Sequence, residues 1–101
     1  MTRDEILTAA QRCVSGDREQ DYGSPENNFK IIAALWNSYL CGEFLDESPE
    51  AAIIKPKDVA AMLALLKIAR ISSGHAKADN WIDLAGYAAC GGEIEANSEE
   101  W

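Results

Sequence analysis

Lys67 and Arg70 stand three residues apart in an otherwise apolar run, and Asp79, Asp83 and Tyr87 follow at four-residue spacing. Residues three or four apart share one face of a helix, so each set projects from its helix as a group. A short Ser-Gly loop between the two sets folds them into an antiparallel hairpin. That hairpin predicts Arg70 near Asp79 and Lys67 near Asp83. Buried charges persist only when paired or liganded, and two chemistries satisfy that condition. As a lattice of ion pairs, the four charges would close the hairpin. As a polar cleft, Lys67 and Arg70 would grip phosphate while Asp79 and Asp83 hold a divalent cation. Tyr87, one turn beyond Asp83, would hydrogen-bond an aspartate or a ligand.

A second polar cluster lies in DREQDYGSPENNF, residues 17–29. It gathers Asp17, Arg18, Glu19, Asp21, Tyr22, Asn27 and Asn28 at a turn and a helix start. Helix N-termini present free N–H groups and the positive dipole end, which suits an anion. The alternative is a solvated loop whose Tyr22 packs on the helices. His75 stands alone, with no cysteine or second histidine nearby. No serine or cysteine has a base partner at a telling spacing, so nucleophilic catalysis finds no support.

The elements that must position these residues all read as helices. Thr2 and Glu5 form a capping-box pattern, and Ile6, Leu7, Ala10, Cys13 and Val14 recur at helical spacing as far as Ser15-Gly16. Ser24 and Pro25 open a second helix carrying Phe29, Ile32, Leu35, Trp36, Tyr39 and Leu40. An acidic connection over 43–54 leads to Lys55-Pro56, where a third helix begins. From Val59 to Ile71 that helix is apolar on every side except at Lys67 and Arg70, which predicts a helix buried all round at the centre. The fourth helix runs from about Asn80 to Cys90, with Gly91-Gly92 expected to weaken or stop it. The expected class is all-α, a compact four-helix bundle over residues 1–92 with an acidic, frayed tail over 93–101.

Composition sets the outer bounds. The chain has 101 residues, 48% of them hydrophobic and 26% charged, which suits one globular domain. Three well-separated cysteines without C-x-x-C spacing, Cys13, Cys41 and Cys90, argue against a zinc or disulfide framework and for a reducing cytoplasm. The start MTRDEIL lacks the apolar core of a signal peptide, and the apolar helix is too short and charged to span a membrane. A net charge of −8 does not favour non-specific nucleic-acid binding, which needs clustered Lys and Arg. It suits a basic protein partner or a cation-assisted ligand site.

Taken together, DYG at residues 21–23, Trp36 in the second helix, LLKIAR at 65–70 and D-x-x-x-D-L-A-G-Y at 79–87 resemble small phage and prophage proteins of unknown function. The same combination resembles the nucleotide-modification-associated branch of the MazG-like all-α nucleotide pyrophosphohydrolases. The likeness covers about residues 17–90. It implies a MazG-like helical bundle, often oligomeric, with a nucleotide between helices. Carried over by position, the ligand would be held by Tyr22, Lys67, Arg70, Asp79, Asp83 and Tyr87. The departure is equally specific. MazG-like catalysts bind magnesium through E-x-x-E on one helix and E-x-x-D on the next. Here the single E-x-x-E, Glu47 to Glu50, contains Pro49 and lies outside the apolar helices.

Three functions follow from this pattern. The first is a phage-derived protein that recognises or sequesters a nucleotide. The second is a pyrophosphohydrolase with Mg2+ on Asp79 and Asp83, and with Lys67 and Arg70 stabilising phosphate charge. The third is an acidic phage inhibitor of a host defence or nucleic-acid enzyme. Each would act in the cytoplasm of an infected or lysogenic bacterium, and the apolar surface of four short helices, with Trp36, Tyr39 and Phe44 on or near one of them, would favour a homo-oligomer.

Overall fold

In the computed structural model, residues 1–16, 24–43, 53–74 and 77–97 are described, with side chains omitted for 41–43. Four helices make up the described chain: α1 (Arg3–Ser15), α2 (Pro25–Glu43), α3 (Pro56–Ser72) and α4 (Ala78–Asn97), with no strand among the described residues. The protein is all-α.

Three of the four described helix starts are fixed by residues expected there. The Thr2 hydroxyl accepts from the Glu5 amide at 3.1 Å, and the Glu5 carboxylate accepts from the Thr2 amide at 2.9 Å. Ser24 Oγ accepts from the Asn27 amide at 3.2 Å, and Pro25 occupies the first helical position, where no N–H is needed. Pro56 does the same for α3, with Asp58 reaching back to the Lys55 amide at 2.9 Å.

The α3–α4 hairpin is antiparallel, as three levels along it establish. Lys57 meets Glu95 at 3.3 Å, Ala60 packs on Gly91, and Lys67 meets Asp83 at 2.9 Å. A Cβ built on Gly91 would come within 3.0 Å of the Ala60 Cβ, so glycine there lets the two helices approach closely. Helix α2 lies against α3 through Phe29 and Ala33, which join Val59, Ala60, Cys90 and Ile94 in the core. The Asn37 side chain clips the start of α3, accepting from the Ile54 amide at 2.7 Å and donating to the Ile54 carbonyl at 3.0 Å. Helix α1 packs on α4, where Val14 sits 3.2 Å from the position a Gly86 Cβ would take.

Two expectations are corrected here. Helix α3 is not buried all round: Val59 and Ala60 are core, but Met62, Leu65, Leu66 and Ile68 are exposed. Among the described residues it packs chiefly on α2 and α4, which leaves these side chains outside the core. Helix α4 does not stop at Gly91-Gly92, and the boundary placed at residue 92 falls inside it. Burial of Ile94, only 2% exposed, continues the helix to Asn97. Residues 98–101 lie outside the described chain.

Candidate functional site

Between α1, α2 and α4, with Leu63 of α3 at its base, lies an open cleft of about 400 Å³. Cys13 and Val14 form one side, Asn28, Phe29 and Ile32 the facing side, and Asp83, Gly86 and Tyr87 line it from α4. It exists because α1 and α2 both pack on the hairpin without closing on each other. The walls are chiefly apolar, so the expectation of a polar cleft is corrected. Among the described residues, its polar side chains are Asn28, Asp83 and Tyr87.

The electrostatics centre on one pair. Lys67 Nζ lies 2.9 Å from Asp83 Oδ2, and their side chains are 11% and 28% exposed. A strongly charge-assisted contact of this length in a partly desolvated place holds both side chains in one geometry. One carboxylate oxygen is thereby committed to the ammonium, and the residue lines the cleft with the rest of its surface. Among the described residues no buried side-chain polar atom lacks a partner, so the pair is a satisfied structure as it stands.

One turn nearer the loop, the arrangement differs from expectation. Arg70 and Asp79 are both exposed, and no ion pair joins them. The predicted fourfold cluster is therefore a single pair plus two solvated charges. Lys67, Asp83 and Tyr87 are brought to one region; Arg70 and Asp79 stand outside it. Tyr22 lies outside the described residues, as do His75, Phe44 and the Glu47 to Glu50 motif. Trp36 is half-buried against the core, and Tyr39 is exposed.

The metal expected on Asp79 and Asp83 finds a poor seat. A divalent cation at Asp83 would have to displace an ammonium 2.9 Å away, and Asp79 is solvated one turn along. No group of three or more His, Cys, Asp or Glu able to hold a metal occurs among the described residues. This donor set does not fit magnesium, which takes six oxygen ligands in near-octahedral geometry.

Sequence reasoning missed the apolar walls of the cleft. Cys13, expected on the apolar stripe of α1, and Cys90, expected at the end of α4, both line it. Gly86 was the available signal: a glycine inside a helix between Asp83 and Tyr87 marks a close approach, here that of α1.

The model of a domain of unknown function, DUF6378, matches residues 5–95, which include every helix that lines the cleft. The chain belongs to the DUF6378 family. Two curated relatives are the Gene 55 proteins of Mycobacterium phages D29 and L5. The first is 40% identical over 87 residues, covering 86% of this chain and 51% of the relative. The second is 43% identical over 84 residues, covering 82% of this chain and 47% of the relative. This DUF6378 chain thus spans about half the length of the curated relatives it matches. No solved structure matches it. Among the described residues of this DUF6378 chain, no helix is long and apolar enough to cross a membrane.

Proposed function

We propose that this DUF6378 protein binds a nucleotide in the cleft between α1, α2 and α4, and holds it without turning it over. One observation carries the reading: Asp83 and Tyr87, the end of the D-x-x-x-D-x-x-x-Y element, both line the same cleft, and Asp83 is fixed there by Lys67. The likeness of that element to its MazG-like counterpart supports a nucleotide as the ligand. A cleft of about 400 Å³ falls within the size of small-molecule sites, which are mostly apolar with a few placed polar groups.

The chemistry divides the ligand into two parts. A flat, largely apolar base suits the walls made by Val14, Phe29 and Ile32, with Asp83 and Tyr87 offering hydrogen-bonding edges. Phosphate would reach toward Lys67, whose ammonium lies 2.9 Å from Asp83 at the cleft wall. Turnover is disfavoured because the one acid that lines the cleft and lies on the hairpin, Asp83, faces a cation and not a metal. No group of three or more His, Cys, Asp or Glu able to hold a metal includes it among the described residues.

The test is a panel of ribo- and deoxyribonucleotides, titrated by calorimetry with and without magnesium, while product formation is followed by phosphorus NMR. Saturable binding with an unchanged phosphorus spectrum is the expected outcome. Asp83→Asn should weaken that binding about tenfold or more, the size of one lost charge-assisted hydrogen bond. Release of pyrophosphate or phosphate would replace this reading with the hydrolase. Absence of binding across the panel would remove it and leave the inhibitor of a host enzyme.

A further inference from the structure

Gly86 is the residue of the cleft that helix packing explains least. It stands inside α4, where alanine would strengthen the helix. Two other glycines of α4 give the comparison. A Cβ on Gly91 would meet the Ala60 Cβ at 3.0 Å, and a methyl group fixed to a neighbouring helix cannot rotate away. Gly91 is therefore accounted for by the close approach of α3 and α4. Gly92 is exposed, with nothing within 4 Å of a built Cβ.

Gly86 belongs to neither case. A Cβ there would lie 3.2 Å from Val14 Cγ1, and no atom of any other packed residue comes within 4 Å. That one contact asks Val14 to give by a few tenths of an ångström, and α1, which carries it, packs chiefly on α4. A side chain enclosed by protein would meet several neighbours at van der Waals distance. The rest of the space around this Cβ is the cleft itself. Asp83, Gly86, Tyr87 and Cys90 fall on one helical stripe, and all four line the cleft. At the centre of that stripe the side chain is missing.

We propose that Gly86 is a specificity-determining residue of the cleft, whose missing side chain keeps open the space beside Val14 that the planar base of the nucleotide enters. A ring laid there has Asp83 and Tyr87, one turn apart, within reach of its edge. This inference deepens the nucleotide reading of the cleft and rests on it.

Gly86→Ala tests it, with the tightest-binding member of the ribo- and deoxyribonucleotide panel as probe. Affinity by calorimetry should fall about tenfold or more, the usual penalty of one methyl group forced into a filled space. The melting temperature should hold or rise, because alanine favours the helix. Gly92→Ala makes the same exchange on the same helix outside the cleft and should leave affinity unchanged. Val14→Ala removes the atom 3.2 Å away, and adding Gly86→Ala to it should cost the same factor again. Where Gly86→Ala alone does not fold, that pair of variants carries the comparison. A Gly86→Ala chain that binds as tightly as the wild type would overturn the inference and leave the nucleotide reading intact. A loss that disappears on the Val14→Ala background would make Gly86 a packing glycine and overturn it as well. A wild type that binds no nucleotide would remove the underlying reading, and this inference with it.

Discussion

The α3–α4 hairpin is two different structures at its two ends. At the end away from the loop, Val59 is fully buried, Ala60 touches Gly91, and Ile94 sits in the core beside Phe29 and Ala33. At the loop end, Arg70, Asp79 and Trp81 stand in water, Trp81 at 50% exposure. Lys67 and Asp83 mark the boundary. The same two helices, running antiparallel throughout, are thus glued by apolar burial at one end and left open at the other. The difference comes from a third element. Helix α2 reaches the packed end, where Asn37 holds Ile54, and no described helix covers Arg70. A charge on a hairpin is forced into a pair only where a further layer removes water from it.

The packed end should give the largest effect. Ile94→Ala removes a buried side chain from beyond the glycine pair and should cost ~2–5 kcal/mol in chemical denaturation. A loss near that of an exposed substitution would show that α4 contributes little after Gly92, and the contrast between the two ends would collapse.

The boundary pair comes next, and its two halves should behave unequally. Asp83→Ala strands an ammonium that is only 11% exposed, so a loss of ~1–3 kcal/mol is expected. Lys67→Met leaves Asp83 28% exposed and able to recruit water, while methionine keeps the packing of the stem. Its cost should be about 1 kcal/mol or less. Equal losses measured by urea unfolding would mean the pair is more solvated than its geometry implies.

Arg70→Gln sharpens the comparison from the other side. Arg70 is exposed and without an ion pair to Asp79, so stability should change by less than about 0.5 kcal/mol. A melting temperature lowered as far as that of Asp83→Ala would restore the fourfold lattice and contradict the open end.

The smallest effect lies outside the hairpin. The Thr2 amide and hydroxyl, both bonded within the cap, hold the Glu5 carboxyl below its ordinary value. A depressed carboxylate stabilises the fold above its unfolded-state value and loses that contribution as pH falls through the folded one. Glu5→Gln should therefore flatten the acid limb of the stability profile slightly. An unchanged profile below the ordinary carboxylate range would remove the cap as its cause.

Much of this was legible from residues alone. Thr2 with Glu5, Ser24 with Pro25, and Lys55-Pro56 announced three helix starts, because caps act within one turn and need no tertiary context. The Lys67–Asp83 pair was legible too, since a short loop and helical spacing fix which levels meet. What failed depended on the number of neighbours. Periodicity cannot say how many helices pack on α3, so an all-round apolar run was read as all-round burial. For the same reason Arg70 and Asp79 were expected in a cluster that no further helix encloses. Gly91-Gly92 read as a stop because glycine is poor in helices. The buried Ile94 and the close approach to Ala60 outweigh that cost. The cleft between α1, α2 and α4 leaves a single mark in the sequence, Gly86, where α1 comes close to α4.

The most direct test of a nucleotide in that cleft is an amide proton–nitrogen NMR titration of the wild-type chain with deoxyribonucleotides. Binding there should shift the amides of Cys13, Asn28, Asp83, Gly86 and Tyr87 together, along one saturating curve, while those of Ile94 and the outer face of α3 stay fixed. Shifts confined to surfaces away from the cleft, or none at millimolar nucleotide, would contradict it.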